Sequence, residues 1–279
     1  MMIKPLDYFA SLVQQDGSIP LFEAALSIAQ DADPDLDLTG VQMQADILAA
    51  RLFRRIPSDA SDVQKLRMLN HFFYHELGFA GNINDYYDPD NSYLNRVMLT
   101  RRGIPISLAV VYMELGEQIG LDVKGISFPG HFLMKLSVQS GDIILDPFNG
   151  ASLSREELEE RLEPFFAQRA QVNDVPLATY LRDAEPRDIL VRMLRNLKAL
   201  YTDQPSWQRL LEIQERLVIL LPGEIIERRD RGLAYINLDC PQAALRDIEA
   251  YLFECPHAAD SPGLRARLPE LRDASRKLN

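Results

Sequence analysis

Residues 79–95 read Phe79-Ala-Gly-Asn-Ile-Asn-Asp-Tyr-Tyr-Asp-Pro-Asp-Asn-Ser-Tyr-Leu-Asn95, and residues 102–107 read Arg102-Gly-Ile-Pro-Ile-Ser107. Downstream come Pro129-Gly-His131 and Leu145-Asp-Pro147. The order serine, histidine, aspartate matches a nucleophile, a base that takes its proton, and a carboxylate that orients the base. Whether this chain does chemistry turns on the reactivity of one hydroxyl.

Pro105 suits the first position of a helix, since its ring presets φ and its missing N–H is one that no helix start satisfies internally. Ile104 to Met113 is the longest apolar stretch. The spacing predicts a helix over Pro105–Ile119, apolar nearly all round and therefore central, ending at Gly120. Ser107 then lies in its first turn, where a serine most often simply bonds a free backbone amide. Beyond Gly120 the period changes. Val123–Phe128, His131–Val138 and Asp142–Leu145 are short β-prone runs separated by turn residues, which predicts a small antiparallel sheet packed on the central helix. In this reading His131 opens the middle strand on the face of Leu133 and Lys135. A hairpin centred between Val138 and Gln139 sets His131 opposite Asp146, whereas a centre nearer Gly141 offsets them; both registers fit the pattern.

Upstream, Leu6, Phe9, Leu12 and Val13 recur at helical spacing, as do Phe22, Ala25, Leu26 and Ala29. Asp31–Thr39 carries alternating aspartates around Pro34 and reads as a solvated linker. Val41–Ile56 and the stripe from Val63 to Leu77, capped by Asp59 or Ser61 and closed at Gly78, make the first 78 residues helical. Asn91–Thr100 is a further short helix. Downstream, Ser154-Arg-Glu-Glu157 is a capping box opening another helix. From about Arg187 only helices follow. Leu210-Leu211, Leu217-Val218 and Leu221-Pro222 recur 34 residues later as Ala244-Leu245, Tyr251-Leu252 and Cys255-Pro256. That is the length of a tetratricopeptide helix pair, and Leu264–Leu278 would be its polar cap. The expected fold class is α+β and mainly helical, divided into residues 1–181 and an all-helical repeat unit over 182–279.

The 279 residues are 47% hydrophobic and 25% charged, the composition of a chain with a full core. Residues 1–181 hold 14 Lys+Arg against 25 Asp+Glu, whereas 182–279 hold 16 of each, so the net charge of -11 belongs to the first two thirds. Acidic surfaces repel phosphate backbones and anionic lipid, which argues against nucleic acid and membrane as partners. Cys240 and Cys255 form neither a disulfide framework nor a metal motif. Asp7 and Pro5 stand where a signal core would be apolar, and no apolar run reaches the roughly 18 residues of a membrane span. A reduced, soluble, cytoplasmic protein is expected.

Gly78 to Asn95, Arg102-Gly-Ile-Pro-Ile-Ser107, Phe128-Pro-Gly-His131-Phe-Leu133 and Asp146-Pro-Phe148 together resemble the bacterial SirB-type family, a branch of the transglutaminase-like superfamily. The likeness covers about residues 40–165, with a tetratricopeptide-like tail beyond. It implies a papain-like core, with catalytic positions at the start of the central helix, on the first strand of a pair and on the next. By position these are Ser107, His131 and Asp146, and serine stands where such enzymes use cysteine. A related domain in a eukaryotic F-box protein implies recruitment of other proteins as one use of the fold.

The substitution matters quantitatively. A thiol with a reference pKa near 8.5 becomes a standing thiolate beside a helix N-terminus and an imidazolium. A helix terminus supplies at most about 2 kcal/mol, which leaves a serine hydroxyl protonated. Ser107 could act only with His131 as general base and Asp146 holding the tautomer. Three functions follow from these residues. The first is a disabled cleft that binds a protein or peptide, with the helical tail as a second surface. The second is hydrolysis or acyl transfer on an amide or ester. In the third, residues 79–102 are the working surface, with Asn82, Asp85, Tyr86, Tyr87, Asn91, Tyr93, Asn95 and Arg102 as a cleft wall; a loop braced over the helix start would use the same residues structurally. The loop lacks the glycine and glutamate of a calcium loop. His71 and His75 lack a third ligand. No metal or cofactor is expected, and nothing in the sequence sets the oligomeric state.

Overall fold

The structure, a computed structural model, describes residues 4–167, 175–203 and 206–277. Helical periodicity in the first 78 residues is realised as α1 (Pro5–Leu12), α2 (Leu21–Ser27), α3 (Leu38–Phe53) and α4 (Asp62–Asn70). Asp37 caps α3 by accepting from the Gly40 amide at 3.0 Å. Ser61 caps α4 through a reciprocal box with Gln64. A π-helical turn, His71–Glu76, extends α4 and closes at Gly78, whose φ of +72° suits a residue without Cβ.

The next segment contains a pairing that carries no sequence signal. β1 (Ala80–Gly81) runs parallel to β2 (Arg102–Gly103), with α5 (Leu94–Thr100) between them. α6 (Pro105–Gln118) follows, with Pro105 at its first position. Every residue from Pro105 to Met113 is buried, so α6 is the central helix that its composition demands. Each fully buried Leu, Val or Met side chain contributes about 1.5–3 kcal/mol.

β3 (Val123–Ile126), β4 (Leu133–Val138) and β5 (Gly141–Leu145) form the antiparallel sheet in chain order. Met134 pairs with Leu145 and Val138 with Gly141, so the hairpin turns between Gln139 and Ser140. That register falls between the two that the pattern allowed. β4 begins at Leu133, which corrects the placement of His131 on a strand: Gly130, at φ +69°, ends a turn and His131 follows it. The face of Leu133 is covered. Leu133 is buried with Ile126, Phe128, Ile144, Leu158 and Leu162, because α7 (Arg155–Ala167) and α8 (Leu177–Tyr180) cover the side away from α6. The Ser154–Glu157 box is present in both directions.

The tail consists of α9 (Pro186–Asp203), α10 (Trp207–Leu220), α11 (Ile225–Asn237), α12 (Pro241–Glu254) and α13 (Ser261–Lys277). Leu278, the expected end of the last helix, lies outside the described residues. Each of α10 to α12 packs on the next, and Ile248, Tyr251, Leu252 and Leu264 form a shared core. Gly232 lets α11 approach α12 closely, since a Cβ there would lie 2.8 Å from Ile248. Two compact units result, residues 15–193 and residues 1–14 with 194–279. The division falls inside α9. α1 joins the tail, where Phe9 is buried beneath the Arg216 guanidinium. No helix among the described residues is long and apolar enough to cross a membrane.

Candidate functional site

Ser107 lies in the first turn of α6 with 0% exposure. Its hydroxyl oxygen lies 2.6 Å from the Asn91 carbonyl oxygen and 3.0 Å from that of Ile104, and it accepts from the Ile104 amide at 3.1 Å. A hydroxyl has one proton to give, and the shorter contact assigns it to Asn91. Gly103 makes room for this arrangement, because a Cβ there would stand 2.7 Å from Ser107 Oγ. Among the described residues no hydrogen bond joins Ser107 to His131.

His131 and Asp146 are joined directly, His131 Nε2 to Asp146 Oδ1 at 2.9 Å. Both lie just past the ends of paired strands, so their contact survives a register that does not set them opposite one another. Asp146 also accepts from the Phe148 amide at 2.9 Å and from Arg161 Nη1 at 3.0 Å. Burial works to raise its carboxyl, but the hydrogen bond and charge of His131, the Phe148 amide and Arg161 together hold it below the ordinary carboxylate range. An ionised carboxylate only accepts, so Nε2 carries the ring proton and Nδ1 is the basic atom of neutral His131. The imidazole is about a quarter exposed.

Two partners of this pair went unnoticed in the sequence. Arg161 is one of two arginines among the glutamates of α7, where a solvated charge looks the same as a clamp. Arg192, on α9, donates to the carbonyls of Phe128 and His131 at 3.1 and 2.7 Å and lies over the Phe132 ring. It falls beyond residue 181 and so outside the expected domain.

The loop residues mostly hold the loop itself. Asn91, 3% exposed, donates to the carbonyls of Asp85 and Tyr86 and accepts from Asn82 at 2.9 Å. Asn82 in turn accepts from the Asp85 amide. Tyr93 is buried at the start of α5, and the Asn95 side-chain oxygen is buried without a partner among the described residues. Arg102 donates to the carbonyls of Gly78 and Arg101, bracing β2. Tyr86 and Tyr87 are the exposed aromatic members, at 44% and 75%. The Tyr86 ring lies 6.5 Å from Phe148, which in turn packs on Gly81 where a Cβ would clash at 2.0 Å. Burial, with Tyr87 beside it, raises the Tyr86 hydroxyl despite the influence of Arg192. The His71 and His75 rings are 5.3 Å apart, and among the described residues no three His, Cys, Asp or Glu side chains gather as metal ligands would.

Residues 39–195 match the model of the transglutaminase-like superfamily, and residues 197–269 match that of the tetratricopeptide repeat. A UPF0162 protein of Xylella fastidiosa strain Temecula1 is 39% identical over 261 residues, covering 92% of this chain and 91% of the relative. Protein SirB1 of Salmonella typhimurium is 26% identical, covering 75% of this chain and 76% of its own. UPF0162 protein YchA of Escherichia coli K12 is 28% identical over 74% and 75%. No solved structure matches. The chain belongs to the transglutaminase-like superfamily, in a bacterial SirB-type branch that carries tetratricopeptide repeats.

Proposed function

We propose that this member of the transglutaminase-like superfamily is a cytoplasmic protein-binding or regulatory adaptor. Its cleft and its helical repeats serve as recognition surfaces. The observation that carries the reading is the Ser107 hydroxyl, fully buried and with its proton held by the Asn91 carbonyl. To attack a substrate it would have to abandon bonds worth about 1–3 kcal/mol each when their buried partners are left unsatisfied. The partner class is a protein or peptide. Stacked helical hairpins present extended surfaces to such ligands, and on α12 the Phe253 ring is 87% exposed. Tyr86 and Tyr87 offer aromatic surface beside the cleft.

One observation favours the alternative, an amide or ester hydrolase or acyltransferase. The His131–Asp146 pair is intact and clamped, and among the described residues the basic nitrogen has no hydrogen-bond partner. A fluorophosphonate probe decides between the two. Under the adaptor reading, wild type and Ser107→Ala label alike; labelling that Ser107→Ala abolishes would establish the hydrolase. For the adaptor itself, affinity capture from a bacterial lysate should recover a partner that Phe253→Ser or Tyr86→Ala/Tyr87→Ala loses. Recovery unchanged by either variant would remove those surfaces from the reading.

A further inference from the structure

At the other end of α6 lies a groove of about 1020 Å³ that none of Ser107, His131 and Asp146 lines. Its walls come from α2, α3, the second half of α6, the turn into β3 and residues 183–189. Phe22, Val110, Met113 and Ile189 form a buried apolar floor, and Met43 on its wall, 56% exposed, presents the accessible apolar side chain. Carboxylates outnumber ammonium groups seven to one in the lining. The one ammonium, Lys124, is tied to Asp122 at 2.6 Å.

The decisive detail is the amide of Gln118. Its single nitrogen donates to Asp46 at 2.8 Å and to Glu114 at 2.7 Å. Two carboxylates from different helices are therefore held within two hydrogen-bond lengths of each other. Among the described residues no salt bridge reaches Asp46, Glu114 or Glu117, and Glu117 shares only the longer-range field of Lys124. Burial, with help from Glu117 and Asp46, raises the Glu114 carboxyl against the pull of Gln118. Like charges this close are unfavourable unless a cation joins them. A lysine ammonium or arginine guanidinium supplies several donors to such a pair.

We infer that this groove docks a basic segment of a partner protein, one presenting a lysine or arginine beside an apolar side chain. The apolar surface argues for a peptide over a simple polyamine, which has no side chain to bury there. The volume is also at the upper end of small-molecule sites, which run to about 1,000 Å³. The inference is independent of Ser107, and the two can fail separately.

The test uses the full chain and a fluorescein-labelled peptide, Leu-Lys-Ala-Leu-Lys-Ala-Leu-Lys, followed by fluorescence anisotropy. Asp46→Asn/Glu114→Gln should weaken binding about tenfold, the scale of losing two modest ionic contacts. Glu156→Gln/Glu160→Gln on the exposed face of α7 removes the same charge and should leave affinity within about twofold. The melting temperature of the groove variant should equal or exceed that of wild type, since a repulsion is removed. Met43→Ser gives a second measure, weakening the leucine-containing peptide while sparing an all-lysine one. No binding by wild type, equal losses in the two charge variants, or equal displacement by spermidine with no effect of Met43→Ser would each overturn the inference.

Discussion

The two ends of α6 handle polar groups in opposite ways. At the N-terminal end Ser107 is bonded on both its donor and acceptor sides, and Asp146 accepts from a histidine, an arginine and a backbone amide. At the C-terminal end Asp46 and Glu114 each take one N–H of the Gln118 amide, and among the described residues neither has an ion-pair partner. A network closed on itself contributes to stability and rigidity, whereas an open one keeps interaction energy for a ligand at some cost to the fold. The end that carries the candidate catalytic residues is the closed one. The candidate catalytic residues and the proposed docking groove thus lie at opposite ends of a single helix.

The largest expected effect breaks the closed end. Asp146→Ala leaves Arg161 and the Phe148 amide without their acceptor and should cost about 3 kcal/mol in denaturant unfolding. Because its carboxyl is held low in the folded state, Asp146 contributes stability that is present above the ordinary carboxylate range and lost as pH falls through the lowered folded value. The variant should therefore lose part of the acid limb that wild type shows below about pH 4. An unchanged limb would mean that the network does not hold the charge.

Ser107→Ala should cost about 1–2 kcal/mol, the worth of a buried hydroxyl bond at a helix start, measured the same way. A loss within error would show the hydroxyl free to move and would revive its candidacy as a nucleophile. Tyr112, in the middle of α6, tests the contrast from within. Its hydroxyl is buried with no partner among the described residues, although its ring packs edge-on against Phe73. Tyr112→Phe should stabilise by about 1 kcal/mol in thermal melts. The smallest effect belongs to the open end: Glu114→Gln should raise stability by a few tenths of a kcal/mol, and a loss would mean that Glu114 is already paired in solution.

The helices were legible because their periods are long and their stops explicit: Pro105 and Gly120 bracket α6, and Ser61 and Gly78 bracket α4 and its extension. The family emerged from the run of Asn, Tyr and Asp before α5 together with the spacing to His131 and Asp146. Other features had no local trace. Two-residue strands such as Ala80–Gly81 have no period to detect. The hairpin register depended on whether Gly141, at φ +125°, joined the turn or the strand, and it joined the strand. Arg161 and Arg192 reach the site from 15 and 61 residues away, and on an amphipathic helix a structural cation is written like a solvated one. The packing of Phe9 with the tail is a tertiary choice that the apolar spacing of α1 leaves open.

Asn91 sits where the loop meets the helix. Its side chain gathers the carbonyls of Asp85 and Tyr86, while its own carbonyl receives the Ser107 hydroxyl and the Ile104 amide. A loop fastened in this way cannot breathe by itself, because lifting it strips bonds from the first turn of the central helix. In native-state hydrogen exchange the amides of Asp85 and Ile104 should open together as one cooperative unit with a common free energy. Anything that grips Tyr86 or Tyr87 from outside would then be pulling on α6.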